Sequence, residues 1–331
     1  MDEKQHLLTN KDTTENNEYY QTLKGNNKEK EDTVIVQGNS RKKLLTWSEI
    51  PEWMRFNPYI LSGYRPPSDS YLTCLKSTVK LHNESLNIWT HFFGLIMIII
   101  NLVQFLIWQQ DISLLKEGFH TTADMLMFVF YLGCIGCLSC SCIYHTFACH
   151  SKNVSVACNS IDYLGIICNN IGSWLLGFHY YFYCEPKLQV FYMITYLIIC
   201  GTATIVLMIP SLQAEKYMWM RTITFLFVGL CGIIGLAHSA IIHGLDMMFA
   251  MGFGKTLMMG GFYLSGALVF AFRWPERSYP GKCDIWFQSH TIFHILCLIA
   301  ILYYFFGMNE AKEFWGREGA YEQYCKSEPF I

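Results

Sequence analysis

The sequence SLNIWTHFFGLIMIIINLVQFLIW occupies residues 85–108 and contains no Asp, Glu, Lys or Arg. A helix that crosses the hydrocarbon core of a bilayer needs about 20 mostly apolar residues, so this stretch predicts a transmembrane helix. The sequence predicts seven such helices, or six if the run that ends at Phe272 does not span the membrane. The six other runs cover about 121–146, 159–183, 188–209, 220–242, 256–272 and 286–307.

The composition of the 331-residue chain agrees with this interpretation. Hydrophobic residues make up 52% of the chain and charged residues only 15%, against about 25% charged residues in soluble domains. The net charge of −2 argues against nucleic acid as a partner, because nucleic-acid binding needs a concentrated basic face. These features argue against a soluble enzyme and predict an all-α membrane protein that is surrounded by membrane lipid.

Most of the polar sequence lies before the first apolar run. Residues 1–45 are rich in Asp, Glu, Lys, Asn and Thr and contain no apolar stretch of the kind found in signal peptides. We predict a disordered cytosolic tail there. The segment 46–84 is interpreted as a juxtamembrane interfacial segment, either a short helix at the lipid headgroups or an irregular linker. The seven-helix membrane domain is predicted at 85–307, and a lumenal or extracellular C-terminal tail at 308–331.

The distribution of Lys and Arg predicts the orientation, because cytosolic loops carry an excess of both. With seven helices, ten membrane-proximal Lys and Arg residues fall on the N-terminal side and six on the other side. We therefore expect a cytosolic N-terminus. The sequons Asn83-Glu84-Ser85 and Asn153-Val154-Ser155 both lie on the predicted cytosolic side, so neither is expected to carry a glycan.

Small side chains within the apolar runs are interpreted as packing material. Most of the fourteen cysteines lie in these runs, and CxxC pairs such as Cys134 and Cys137 lack a second pair or His cluster at the spacing of a zinc finger. We predict reduced, structural cysteines. The glycines at helical spacing indicate close helix packing; they are Gly133, Gly136, Gly229, Gly232 and Gly235.

Ionisable side chains inside membrane spans are costly and usually functional, and five polar residues are predicted to share one depth. Ser141 and His145 stand four residues apart near the end of the second helix. Asp162 lies about one turn into the third helix, and His290 and His294 stand four apart at the start of the seventh. Because successive helices alternate in direction, all five are expected near the cytosolic surface.

Three imidazoles and a nearby carboxylate suit Zn²⁺. Three histidines leave the fourth tetrahedral position open for water, whose pKa then falls to about 7, as in catalytic zinc sites. Asp162 is expected to accept a proton from that water or to hold the water in place, and Ser141 to hold the water or a substrate oxygen. The alternative is that His290 and His294 only bridge to loop carbonyls.

A polar stripe on the first predicted helix reaches the same depth. Glu84, Asn87 and His91 follow an i, i+3, i+7 spacing, which places them on one face of a helix. We expect them to act behind the metal ligands or to form hydrogen bonds between helices, rather than to bind the metal directly.

Taken together, these motifs resemble those of the progestin and adipoQ receptor family, which includes the adiponectin receptors and is similar to haemolysin III and alkaline ceramidase-like membrane hydrolases. The resemblance extends over about residues 46–307. It implies seven helices, a cytosolic N-terminus and zinc on His145, His290 and His294, with Asp162 beside the metal-bound water and Ser141 next to it. The motifs are Glu84-x-x-Asn87-Ile88-Trp89-x-His91, Ser141-x-x-Tyr144-His145, Asp162, Pro275-Glu276-Arg277 with Pro280-Gly281, and Ser289-His290-x-x-x-His294.

Within that family, three stretches look most like the branch of its third member, which is described as a Golgi protein that tethers Raf kinase and restrains mitogen signalling. This resemblance implies a Golgi membrane location, with the plasma membrane as the alternative, and a Raf-type kinase as cytosolic partner. A lipid or hormone ligand is a further expectation. The stretches are Ile50-Pro51, Asn57-Pro58-Tyr59-Ile60 with Gly63-Tyr64-Arg65, and Phe147-Ala148-Cys149-His150.

Two functions of different classes therefore remain open. In the first, the chain is a receptor or scaffold that holds a signalling protein through residues 1–80, while zinc braces the second, third and seventh helices. In the second, it is a zinc-dependent lipid amidase of the ceramidase type, whose substrate enters from the bilayer. Replacing Asp162 by Ala is expected to abolish only the second function.

Overall fold

The structure is a computed structural model that describes residues 44–113, 122–213 and 215–325. Within these residues the chain is helical, and the only β pairing is a single bridge between Leu45 and Tyr64. The expected all-α class is thus confirmed. Nearly all of the predicted tail 1–45, and the end of the predicted C-terminal tail, lie outside the described residues. The helices are α1 (Tyr71–Ser77), α2 (Ser85–Ser113), α3 (Thr122–Phe147), α4 (Lys152–Tyr181), α5 (Pro186–Leu207), α6 (Met218–Ala250), α7 (Phe253–Phe272), α8 (Ser289–Trp315) and α9 (Ala320–Cys325).

Six helices in the described part of the chain are long and apolar enough to cross a membrane, namely α2, α3, α5, α6, α7 and α8. The chain is therefore a multi-pass integral membrane protein. Helix α7 is one of these six helices, although the sequence had left open whether the run that ends at Phe272 spans the membrane. Helix α4 is not one of them, because it carries Asp162 and several asparagines among its 30 residues. Seven membrane crossings thus remain a prediction.

The polar helix α4 is held inside the bundle. Its Asn169 donates a hydrogen bond to the hydroxyl of Tyr263 (3.0 Å) and accepts one from the thiol of Cys134 (3.2 Å). Apolar residues on other helices are exposed instead, among them Ile205 and Ile241, which are 71% and 82% exposed. This distribution suits a membrane, where the polar groups of a helix must be satisfied by protein and apolar side chains face lipid.

Residues 44–84, named here the juxtamembrane collar, have an irregular backbone before α1. A short helix at the lipid headgroups and an irregular linker were the two expectations for this segment, and the structure has one short 3₁₀ turn, Glu52–Met54, in an otherwise irregular stretch before α1. Ile50, Ile60 and Tyr64 form a small buried cluster of their own. The collar therefore has a small packed core of its own. Its one α-helix, α1, follows that core in the sequence.

Hydrogen bonds attach the collar to the loop 273–288, named here the α7–α8 loop. The Asp284 carboxylate accepts from the backbone N–H of Leu61 (2.9 Å) and from the hydroxyl of Ser62 (2.6 Å). The N–H of Gly281 donates to the carbonyl of Tyr59 (3.2 Å). These contacts bring the collar to the start of α8, where His290 and His294 are found.

A disulfide joins Cys184, just after α4, to Cys325 at the end of α9. For these two residues the prediction of reduced cysteines is wrong, whereas the other twelve cysteines are free thiols. The physical reason is that Cys184 and Cys325 lie in polar segments outside the apolar runs, where reasoning about helix packing does not apply. Cys184 follows the last residue of α4, at the end of that helix opposite to the end near His145.

Candidate metal centre

Three histidines from two helices converge near the collar. His145 lies close to the end of α3, and His290 and His294 lie in the first two turns of α8. One ring nitrogen from each of them lies within 4.8 Å of the others. The Nε2 atoms of His145 and His290 are 3.1 Å apart. Two imidazole nitrogens bound to one tetrahedral zinc at about 2.0–2.1 Å would be separated by about 3.3 Å, so this spacing suits a shared metal ion.

The Nδ1 atoms of two of these rings are already engaged. His145 Nδ1 donates a hydrogen bond to Glu84 Oε2 (2.7 Å), and His294 Nδ1 donates to the carbonyl of Asn87 (3.1 Å). Because a carboxylate and a carbonyl can only accept, the proton of each ring is on Nδ1. The Nε2 lone pairs are therefore available for a metal, which is the arrangement in which metal-binding histidines are usually held.

Asn87 connects the groups behind the histidines. Its amide donates to Glu84 Oε2 (2.7 Å), and its side-chain carbonyl accepts from the hydroxyl of Thr291 (2.6 Å). Since its backbone carbonyl also binds His294, the start of α2 and Glu84 just before it hold candidate ligands from both α3 and α8. The structure thus places the predicted residues Glu84 and Asn87 directly behind the imidazoles. Thr291 was not predicted.

Glu276 fixes the start of the helix that carries His290 and His294. It is fully buried, and its carboxylate accepts from the N–H (2.8 Å) and the hydroxyl of Ser289, the first residue of α8. It also accepts from the Asn57 amide in the collar (2.9 Å). A carboxylate at this position satisfies a free N–H group and complements the helix dipole. In the sequence, Pro275-Glu276-Arg277 stands out only as a family motif. The signal for its role is a charged residue that precedes a helix start and, in the structure, is buried beside it.

Arg65 holds the end of α3. It is buried, and its guanidinium donates to the backbone carbonyls of His145 and Thr146 and to the hydroxyl of Ser77. The last carbonyls of a helix have no partner within the helix, and a cation there is favourable. The collar therefore touches the backbone of a candidate metal ligand. The sequence offered Arg65 only as part of a motif in a segment expected at the membrane surface.

Several buried polar atoms around the cluster have no hydrogen-bond partner among the described residues. They include both ring nitrogens of His91, Nδ1 of His290 and the hydroxyl of Ser141. The His91 ring stacks on that of His294, with the centroids 3.6 Å apart. Buried polar groups without partners are costly, so these atoms indicate a place for an ion, water or ligand. Together with the donor set, they make the site suitable for zinc.

Asp162 was expected beside a metal-bound water rather than among the ligands of the metal. It is buried on α4 and within electrostatic range of His145. Among the described residues, it is not one of those whose ligand atoms lie within 4.8 Å of one another. Its carboxylate also interacts electrostatically with the thiols of Cys137 and Cys297. A role for Asp162 beside a metal-bound water remains a prediction.

The fold and this cluster define a class of protein: a helical, multi-pass membrane protein with a histidine centre near one end of its bundle. A family model described as "Haemolysin-III related" matches residues 79–305, which include every histidine of the centre. The chain therefore belongs to the haemolysin III-related family.

Individual relatives confirm the resemblance to progestin and adipoQ receptors. The chain is 34% identical over 292 residues to progestin and adipoQ receptor-like protein 1 of Caenorhabditis elegans, covering 87% of this chain and 65% of that protein. It is also 34% identical over 270 residues to the adiponectin receptor protein of Drosophila melanogaster, covering 81% of this chain and 59% of that protein. The chain thus spans less than two thirds of the length of both relatives.

The third member of the receptor family is also among the relatives. Human progestin and adipoQ receptor family member 3 is 29% identical over 269 residues, covering 79% of this chain and 84% of that protein. This identity is lower than that of the nematode and fly proteins. The comparisons thus support the family, while the assignment to this branch stays a prediction.

Proposed function

We propose that this chain is a zinc-containing membrane receptor of the progestin and adipoQ type that passes a signal from its helix bundle to a cytosolic partner. The observation that carries this proposal is the direct bonding of the collar to the candidate metal centre. Arg65 binds the His145 carbonyl, and Asn57 binds the carboxylate that caps α8. A ligand that moves α3 or α8 would therefore move the collar as well. The relatives named as receptors support the same function.

Zinc is proposed to be held by His145, His290 and His294. When bound, it would act as a Lewis acid and link α3 to α8. The protein's own contribution is to orient His145 through Glu84 and His294 through Asn87, with one ring nitrogen of each of the three histidines within 4.8 Å of the others.

Elemental analysis of the purified protein tests the metal. We expect stoichiometric zinc in the wild type and none in a variant that combines His290→Ala and His294→Ala. His238→Ala serves as the matched control, because this histidine is bonded to Tyr192 and lies outside the centre. A wild-type protein without zinc, or a double variant that keeps it, would remove the metal from the proposal.

The proposed cytosolic partner is a Raf-type kinase, and the proposed location is the Golgi membrane, with the plasma membrane as the alternative. Both rest on the likeness to the human third member and on the collar motifs around Asn57 and Arg65. A truncation that removes residues 1–43 leaves the described collar intact. It is expected to abolish co-purification of the kinase if the preceding tail carries the contact, and to leave zinc content and Golgi staining unchanged.

A zinc-dependent lipid amidase is the second candidate. Two features favour it: the buried hydroxyl of Ser141 has no partner among the described residues, and Asp162 is a buried carboxyl group near His145. In this function Ser141 would donate a hydrogen bond to the carbonyl oxygen of a lipid amide, and Asp162 would accept a proton.

Hydrolysis of a long-chain ceramide in mixed micelles separates the two candidates. For an amidase, Asp162→Ala should abolish turnover while zinc content is retained. A zinc-loaded wild-type protein that releases no fatty acid would count against the amidase and leave the receptor as the conclusion.

A further inference from the structure

One thiol of the collar and one at the end of α3 form a pair that the proposed function does not use. Cys74 lies in α1 and Cys149 lies two residues after α3, and their sulfur atoms are 3.7 Å apart. Both side chains are buried, with 1% and 3% exposure. The S–S bond of a disulfide is about 2.05 Å long, so the sulfurs need to approach by only about 1.7 Å.

The surrounding contacts hold the two thiols against each other. The N–H of Ser68 donates to the carbonyl of Cys149 (3.2 Å), and the hydroxyl of Ser68 lies 3.2 Å from the Cys74 sulfur. Tyr71 packs on the rings of Phe147 and His150, with centroids 5.4 and 4.1 Å away. The start of α1 and the residue Ser68 before it are thus held against the end of α3, next to the thiol pair.

The two sulfurs differ in their electrostatic surroundings. A hydrogen bond from the Cys149 thiol, a second from Ser68, and the electrostatic effect of the nearby Arg65 and His150 side chains together hold the pKa of Cys74 well below its usual range, against the opposing effect of burial. The same shared hydrogen bond, and then burial, raise the pKa of Cys149. Because the thiolate is the reactive form of cysteine, Cys74 is the nucleophile of the pair at neutral pH.

We propose that Cys74 and Cys149 form a peroxide-oxidised dithiol whose disulfide reversibly ties α1 to the end of α3. In the first step the Cys74 sulfur attacks one oxygen of a peroxide, so that an S–O bond forms, the O–O bond breaks and an alcohol or water leaves. In the second step the Cys149 thiol loses its proton and attacks the Cys74 sulfur, which releases water. The two thiols lose two electrons, and the peroxide is reduced by the same two electrons.

The positions of the cysteines along the helices favour a reversible reaction here. The Cys184–Cys325 disulfide and the thiol pair belong to opposite ends of α4, since Cys149 precedes that helix and Cys184 follows it. The Lys and Arg distribution predicts that the thiol pair faces the cytosol, where thiols are kept reduced and disulfides are mostly transient or regulatory. Arg65 contacts both Ser77 of α1 and the carbonyl of His145. A Cys74–Cys149 disulfide that fixes α1 therefore acts next to the metal centre.

Peptide mapping of the full chain in phospholipid nanodiscs tests this inference without reference to zinc, kinase or substrate. The protein is treated with hydrogen peroxide, its remaining thiols are blocked in denaturant, and the digest is analysed by mass spectrometry. We expect a peptide pair linked through Cys74 and Cys149, its loss in Cys74→Ser and Cys149→Ser, and its disappearance after mild reduction. The Cys283→Ser control, which changes a free thiol of the α7–α8 loop, should retain the linked pair.

A trapping reagent for sulfenic acid tests the order of the steps. In Cys149→Ser, dimedone should label Cys74, because no second thiol resolves the intermediate. In Cys74→Ser, Cys149 should remain unlabelled. The inference is overturned if oxidised wild-type protein with an intact Cys184–Cys325 disulfide yields no Cys74–Cys149 link. It is also overturned if Cys149 alone is labelled, or if Cys74 pairs with Cys158 or Cys283 instead.

Discussion

At the scale of single residues, Glu84 illustrates how a side chain outside a metal's ligand set can control it. Glu84 Oε2 accepts hydrogen bonds from both His145 Nδ1 and Asn87 Nδ2 at 2.7 Å. Glu84→Gln keeps the shape but removes the charge that orients and polarises the imidazole. We expect zinc affinity to fall by about 10–100-fold, as is usual when such a partner is lost, measured by competition with a chromogenic chelator.

The control for this change is Glu52→Gln, since Glu52 is an exposed glutamate of the collar. It should leave zinc affinity unaltered. An affinity in Glu84→Gln equal to that of the wild type would show that the carboxylate contributes nothing to metal binding, and that its bond to His145 only joins α2 to α3.

Much of this cluster could be predicted from the sequence, because the spacing of residues along one helix is a local property. Residues four apart share a helix face, and alternating helix directions place His145 and His290 at one membrane surface. The spacing could not give the contacts of Arg65 or Glu276, which lie in irregular segments with no period to read. Nor could it give the side-chain distances that leave Asp162 outside the group of converging ligand atoms.

At the scale of helices, glycines set how closely α3 and α4 approach. A Cβ atom added at Gly133 would lie 2.7 Å from the carbonyl oxygen of Cys168, whereas one added at Gly136 would meet no atom within 4 Å. Gly133→Ala should therefore lower the free energy of unfolding by about 1–3 kcal/mol through overpacking. Gly136→Ala is the matched control and should be neutral or stabilising.

Denaturant titration in mixed micelles, followed by tryptophan fluorescence, compares the two alanine variants. Equal stability of Gly133→Ala and Gly136→Ala would contradict the close packing of α3 on α4. The sequence spacing alone treats both glycines alike. Only the facing backbone of α4 distinguishes them.

The start of α8 depends on the carboxylate of Glu276. Glu276→Gln weakens its charged hydrogen bonds to Ser289 and removes a negative charge from the positive end of the helix dipole. We expect a loss of about 1–3 kcal/mol in the free energy of unfolding, together with weaker zinc retention because His290 is the next residue. Glu313→Gln, at an exposed position near the other end of α8, should change neither quantity.

Each of the seven predicted apolar runs overlaps one of the helices α2 to α8, but the bounds differ. The third run was expected at 159–183, whereas α4 covers Lys152–Tyr181. Its first turns are polar and pack near the collar, so a hydropathy signal cannot detect them. Helix α6 reaches Ala250 beyond the expected 242, with a break at Gly244, where φ is 76°, a conformation that glycine adopts readily.

At the scale of the whole molecule, the Cys184–Cys325 disulfide ties the chain after α4 to its C-terminal helix. Replacing either cysteine by serine opens a loop with a sequence separation of 141 residues. We expect a loss of about 2–5 kcal/mol, seen as a lower denaturant midpoint. Cys283→Ser, which removes a free thiol, should leave the midpoint unchanged.

The same bond also reports on orientation. Disulfides persist in oxidising compartments, so Cys184 and Cys325 are expected to face the lumen or the cell exterior. In sealed vesicles with the cytosolic face outward, a membrane-impermeant maleimide should label the thiol left in Cys325→Ser only after the membrane is opened. Labelling of Cys184 itself in intact vesicles, located by peptide mapping because other free thiols also react, or a glycan on Asn153, would reverse the predicted orientation.

By itself, the sequence predicted the all-α membrane class that the structure shows, and it predicted which helix ends carry the polar residues. Both predictions use the length of each apolar segment and the spacing of the polar residues within it, without reference to any other segment. The tertiary structure decided which polar groups meet: the imidazoles with Glu84 and Asn87, the collar with the ends of α3 and α8, Cys74 with Cys149, and Cys184 with Cys325. These pairings join residues far apart in sequence, and they depend on side-chain packing between elements, which no local pattern encodes.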